Sequence, residues 1–136
     1  MPSPLSDISP ALASFLAERH LASLTTLRAD GSPHVVPVGF SVDVSVGEVR
    51  IITFDGSQKV ANARRGGRAA VSQVDGGRWV TLEGSVRATT DPGEVAAAVA
   101  GYAARYQPPK QRDNRVAIII TVDRILGSKA LLAKAD

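Results

Sequence analysis

The residues best suited to chemistry lie in the stretch 49–65, VRIITFDGSQKVANARR. Val49, Ile51 and Ile52 are β-branched and Phe54 is aromatic, which suits a half-buried strand. Asp55-Gly56 is turn chemistry, after which Ser57 can cap a short helix by accepting from its free N–H groups. Lys59 adds a positive charge beside the positive end of that helix, an arrangement that holds phosphate or carboxylate. Arg64, Arg65 and Arg68 follow, with no acidic residue between positions 59 and 68. A capped surface helix with solvated basic side chains has the same local sequence.

Other chemistries find little support. The chain has no cysteine, which excludes thiol nucleophiles, iron–sulfur clusters and cysteine-ligated zinc. Its two histidines, His20 and His34, are not spaced as a ligand pair on a helix, so no metal site is expected. G-x-G-x-x-G, Walker A and G-x-S-x-G patterns are absent, and Glu83 stands alone in its predicted strand without a second carboxylate. No catalytic side chain is assigned, and the chemistry is expected to reside in a bound cofactor.

The elements that must position this stretch can be read in order. Ser9 caps a helix with Pro10 at its first position and Leu12, Phe15 and Leu16 on one face. Residues 20–28 and 33–43 read as strands joined by the turn Ala29-Asp30-Gly31-Ser32. In the second strand Val36, Val38, Phe40 and Val42 share one face, while Val35, Pro37, Gly39 and Ser41 share the other. Pro37 and Gly39 together mark an edge strand or a place where something approaches the backbone. Residues 68–75 and 78–89 form a further predicted hairpin around Gly76-Gly77, with Trp79 on its polar face, where it is either a shielded surface residue or part of an interface. Asp91 caps a helix to about residue 106 carrying a Val95, Val99, Tyr102, Tyr106 stripe, and a basic Pro-Pro loop spans 107–112. Residues 116–122, VAIIITV, are apolar on both faces and read as a strand covered on both sides. The tail 123–136 is expected to be helical in parts, with a break at Gly127.

These 136 residues are expected to form one domain, residues 1–136, able to bury roughly two-thirds of its unfolded surface. Six short strands, mostly joined by tight turns and interrupted by two helices, predict a mainly β fold, an antiparallel barrel with peripheral helices. Sixteen Lys and Arg against thirteen Asp and Glu permit an anionic partner. Nucleic acid is not expected, because no binding motif is present and the aromatics do not alternate with basic residues. The N-terminus lacks a basic leader and no run approaches the roughly 20 apolar residues of a membrane span, so a cytoplasmic, non-membrane protein is expected.

Three stretches, TTLRADGSPHVVPVGF, IITFDGSQKVANARR and AAVSQVDGGRWVTLEGSV, resemble the pyridoxamine 5′-phosphate oxidase-like split β-barrel superfamily. Within it the chain is most similar to the actinobacterial branch that uses coenzyme F420, and in particular to its biliverdin reductases. The resemblance runs from the first helix to Leu126-Gly127-Ser128. It implies a six-stranded split barrel and a homodimer with cofactor sites at the subunit interface. By position, Ser57, Gln58 and Lys59 would bind the cofactor phosphate, with Thr53 and Asn62 nearby. Backbone groups of Val36, Pro37 and Val38 would face the ring system, Arg78 and Trp79 of the partner subunit would wall it, and Arg64, Arg65 and Arg68 would meet a polyglutamate tail. The implied activity is hydride transfer from the reduced deazaflavin to a flat conjugated small molecule such as biliverdin, giving bilirubin. Alternatives are an FMN-binding oxidase-like flavoprotein and a non-catalytic deazaflavin carrier.

Overall fold

Residues 3–133 are described in a computed structural model. Seven antiparallel strands form one sheet: β1 (Ala22–Leu27), β2 (Pro33–Val38), β3 (Ser41–Asp43), β4 (Glu48–Phe54), β5 (Arg68–Asp75), β6 (Arg78–Thr89) and β7 (Arg115–Gly127). Their spatial order is β2-β1-β5-β6-β7-β4-β3. The helices are α1 (Pro10–Ala17), α2 (Gln58–Arg64), α3 (Pro92–Arg105) and α4 (Lys129–Leu132), preceded by a 3-10 turn at Pro4–Asp7.

The expected barrel of six strands is therefore a sheet of seven, because the strand predicted over 33–43 divides at Gly39 and Phe40. The cause lies in α3 and the residue that follows it. Phe40 is buried; its N–H donates to the Tyr106 hydroxyl at 3.2 Å and its carbonyl accepts from Arg105 at 2.7 Å, so side chains replace the strand ladder. Tyr106 in turn donates to the His20 carbonyl at 2.6 Å. The division also alters the predicted faces, since Ser41 is buried while Val42 is only half-buried.

This short link shapes the sheet. β2 and β3 lie at opposite edges, yet three residue steps separate Val38 from Ser41, a span of at most about 10 Å. The sheet must curl until its edges approach, and no ladder joins them among the described residues. The barrel is thus split along a seam between β2 and β3.

Inside, Leu24, Phe40, Val49, Ile51, Val71, Leu82, Ile118 and Ile120 are essentially fully buried, and α1 closes one end with Leu12, Phe15 and Leu16. Ser9 caps α1 as expected, accepting from the Leu12 N–H at 3.0 Å. β7 is apolar on both faces from Val116 to Ile120, all buried. It runs further than expected, to Gly127, because beyond an irregularity at Glu83 and Gly84 it keeps pairing with β6, Thr81 opposite Leu126. The tail is therefore strand up to Gly127, where the expected break falls, and then one short helix, α4; residues 134–136 lie outside the described residues.

The outward face of β2, β1, β5 and β6 carries Arg68, Glu83 and Arg87, with Glu83 opposite Ala70 and Arg68 opposite Ser85, and is otherwise made of small, polar and apolar residues. Across it Val35 sits opposite Thr25, Thr25 opposite Ala70, Ser72 opposite Thr81 and Val74 opposite Trp79. Val35, Val74 and Trp79 are exposed there.

Candidate functional site

A cavity of about 320 Å³ opens at the seam. The end of β2 supplies Pro37 and Val38, followed by Gly39; β4 supplies Ile52, Thr53 and Phe54; α2 supplies Lys59. Tyr102 of α3 and Pro109, Arg112 and Arg115 of the following segment complete the wall. β2 pairs only with β1, so its other backbone edge is free of ladder partners among the described residues. Gly39 is needed for shape: a Cβ there would lie 3.0 Å from ring atoms of both Tyr102 and Tyr106.

Lys59 is the principal charge of this wall. It is half-buried, burial pushes its pKa below the ordinary value, and it forms no ion pair among the described residues. Its ammonium lies 5.7 Å from the centre of the Phe54 ring, which the Arg112 guanidinium also approaches, at 4.6 Å. A half-buried cation without a counter-ion is poised for an anion, since burying charge is costly unless it is paired. The helix end contributes less than expected. α2 has seven residues, and Ser57 accepts from the Val60 N–H at a long 3.4 Å. The turn before it is as predicted, with Gly56 at φ 93°, a value that favours glycine.

Other predicted residues have structural occupations. Asn62 is buried, donates to the Thr26 hydroxyl at 3.0 Å, and accepts from Gln58 at 2.8 Å and from Arg65 at 2.7 Å. These bonds tie α2 to β1 and engage one N–H of the Gln58 side-chain amide. Arg64 pairs with Asp55 at 2.9 Å, Arg65 also donates to the Leu27 carbonyl at 2.7 Å, and Arg68 pairs with Asp123. The run of basic residues contains no acid, but the fold brings Asp55 to Arg64 and Asp123 to Arg68, while Arg65 is taken up by Asn62 and a carbonyl. Val36 packs against the core, so only its backbone is available to a ligand.

Arg78 and Trp79 do not line the cavity of their own chain. Arg78 donates to both carboxylate oxygens of Glu18, at 2.7 and 2.9 Å, and to Asp75 at 2.6 Å, while its guanidinium stacks 4.6 Å from the Phe15 ring centre. The Glu18 carboxyl is held down at about 2, first by its bond to Arg78 and then by His20, which meets it at 2.9 Å. Glu18, His20 and Asp75 bring three ligand atoms within 4.8 Å of one another, and Arg78 already supplies the cation at that cluster.

A second cavity of about 310 Å³ lies between α1, β3 and α3, lined by Leu16, Val42, Gly101 and Arg105 among others. Its one guanidinium is spent on the carbonyls of Glu18 and Phe40 and on the Gln73 side chain. The seam cavity, with uncommitted cations and a free strand edge, is the better ligand site. Sequence reading missed Tyr102, Pro109, Arg112 and Arg115 in its wall. The one available signal was the basic Pro-Pro loop, noted without a role.

Comparison with known proteins agrees with this architecture. A family model described as Pyridoxamine 5′-phosphate oxidase matches residues 8–129. A Mycobacterium tuberculosis (strain CDC 1551 / Oshkosh) protein named F420H(2)-dependent biliverdin reductase is 50% identical over 128 residues, covering 94% of this chain and 93% of that protein. A solved structure named F420 Reductase matches with a TM-score of 0.68 and 25% identity, covering 83% of this chain and 94% of the other. A conserved hypothetical protein from Mycobacterium tuberculosis matches with a TM-score of 0.73 and 25% identity over 86% of this chain and 81% of its own.

Proposed function

The chain belongs to the pyridoxamine 5′-phosphate oxidase family, and from that premise we propose that it is a coenzyme F420-dependent reductase of a flat conjugated small molecule, biliverdin foremost. The 50% identity to an F420H(2)-dependent biliverdin reductase supports the cofactor and the substrate. The observation that carries the reading is the seam cavity with Lys59 half-buried and unpaired in its wall.

The donor set suits a phosphorylated planar cofactor. Lys59, with Ser57 and Gln58, would hold the phosphate with Thr53 nearby, and the backbone of Val36, Pro37 and Val38 would face the ring. Asn62 fixes α2 in place through Thr26. When bound, reduced coenzyme F420 supplies hydride from C5 of its deazaflavin. The chain's own contribution is orientation, exclusion of water and charge. Neither a carboxylic acid nor a histidine lines the cavity. An arginine-bound water or bulk solvent would then supply the proton.

The protein works as a homodimer in which Arg78 and Trp79 of the partner subunit complete the site. The apolar residues exposed side by side on the outward face support this, with Val74 67% exposed and Trp79 39% exposed. No helix among the described residues is long and apolar enough to cross a membrane, and the absence of cysteine suits a cytoplasmic setting.

The test is to titrate the purified protein with coenzyme F420 and with FMN, then add biliverdin to the reduced deazaflavin complex and follow its reoxidation. Binding of coenzyme F420 and biliverdin-dependent reoxidation are expected. Tight FMN binding without response to coenzyme F420 would overturn the assignment, and binding without turnover would mark a carrier.

A further inference from the structure

The cations left unpaired around the seam are not the ones the sequence suggests. Arg64, Arg65 and Arg68 are committed to Asp55, to Asn62 and the Leu27 carbonyl, and to Asp123. Lys59, Lys110, Arg112 and Arg115 form no ion pair among the described residues, and all four line cavities at the seam. Besides the 320 Å³ cavity there is a hollow of about 270 Å³, walled by Val95 and Val99 of α3 and by Pro109, Lys110, Gln111, Arg112 and Arg115. The two share Pro109, Arg112 and Arg115, so the unpaired cations follow one path from α2 outward along the segment between α3 and β7.

That segment is held in place. Arg115 donates to the Lys110 carbonyl, and the Asp55 N–H donates to the Asn114 carbonyl at 2.8 Å, pinning the segment against the end of β4. Pro108-Pro109 restricts its backbone. Arg112 and Lys59 both lie against Phe54, which brings two like charges to one ring with no carboxylate between them. Asp113 is the segment's own acid, and it forms no ion pair with any of them among the described residues. Adjacent cations of this kind repel one another until anions are placed among them.

We propose that Lys110, Arg112 and Arg115 form a carboxylate-binding rim for a ligand that carries several carboxylates and whose planar part occupies the seam cavity. This rests on the deazaflavin reading of that cavity and deepens it. Two sources can provide such carboxylates, the glutamate tail of coenzyme F420 and the propionates of a tetrapyrrole. Arg112 and Arg115 can engage carboxylates in bidentate fashion, while Lys110 acts as a point charge.

Lys110 and Arg112 are exposed, so the double variant Lys110→Gln with Arg112→Gln keeps the fold intact. Dissociation constants are measured by fluorescence for wild type and variant with coenzyme F420, with its glutamate-free form, with biliverdin and with biliverdin dimethyl ester. Loss of two charge-assisted contacts predicts at least about a tenfold weakening for the carboxylate-bearing member of one pair and none for its counterpart. The affected pair identifies the source. Equal dissociation constants for variant and wild type in both pairs would overturn the rim. If wild type binds no deazaflavin, the proposed function fails by itself, and γ-linked tetraglutamate then decides the rim. Shifts of the amide resonances of residues 107–115 that vanish in the variant support it, and their absence refutes it.

Discussion

Replacing Lys59 by methionine should separate ligand binding from folding, because the two effects have opposite signs. Methionine keeps the length of the side chain but removes the charge and with it the cation–π contact to Phe54. In the ligand-free protein that charge is half-buried without a counter-ion, and burial depresses its pKa. Below the depressed value the lysine is charged in both folded and unfolded chains, and the folded state carries the desolvation cost. As pH rises through that value toward the ordinary 10.5, the cost is relieved. Near neutrality the variant should therefore be as stable as wild type or more so, with the lost ring contact at 5.7 Å offsetting about 0.5–1 kcal/mol of the gain. Affinity should move the other way. A charge-assisted hydrogen bond to phosphate contributes roughly 1.5–3 kcal/mol, or roughly 10- to 150-fold in dissociation constant. Calorimetric titration with coenzyme F420, paired with thermal unfolding of the ligand-free protein, reads both quantities. Wild type should also take up protons on binding at alkaline pH, since the anion raises the lysine's pKa, and the variant should not. A variant that melts earlier yet binds normally would show that Lys59 is a structural residue and would refute the reasoning.

Three further outcomes follow from other contacts. Glu18 and Glu94 both have carboxyl pKa values depressed from 4.5 to about 2, chiefly by hydrogen bonds from Arg78 and Arg87. Their contribution is fully present above about pH 4.5 and is lost as pH falls toward 2; urea midpoints should decline over that window, less steeply when both are glutamine. Gly39→Ala places a Cβ 3.0 Å from the Tyr102 and Tyr106 rings, the latter held by bonds to Phe40 and His20. It should cost about 1–3 kcal/mol in denaturant unfolding and weaken cofactor binding. Asn62→Ala strands the buried Thr26 hydroxyl and should cost roughly 1–3 kcal/mol. Lost activity at unchanged stability would instead point to a direct cofactor contact.

Local signals account for most of what the sequence disclosed about the fold. Ser9-Pro10, Asp91-Pro92 and the turn at Asp30-Gly31 announce themselves within a few residues, and β7 declares its two-sided burial by composition. What stayed hidden depends on residues distant in sequence. The division at Gly39 and Phe40 follows from side chains more than sixty residues later. Arg68 looked available only because Asp123 is fifty-five positions away. Pro37, Val38, Thr53 and Lys59 line one cavity. Tyr102, Arg112 and Arg115 join them only because the sheet curls, and no spacing rule predicts that.

The position of β7 has a consequence for how the chain is made. It is the strand that joins β6 to β4, so every ladder between the two halves of the sheet passes through residues 115–127, which follow all the other strands in sequence. While the chain is being synthesised, β1, β2, β5 and β6 can assemble as one piece. The β3–β4 hairpin waits with Val49 and Ile51 uncovered until some sixty further residues have emerged. Chains terminated before residue 115 are left as two half-sheets with open edges, and the seam, which needs both halves, is the last feature to form.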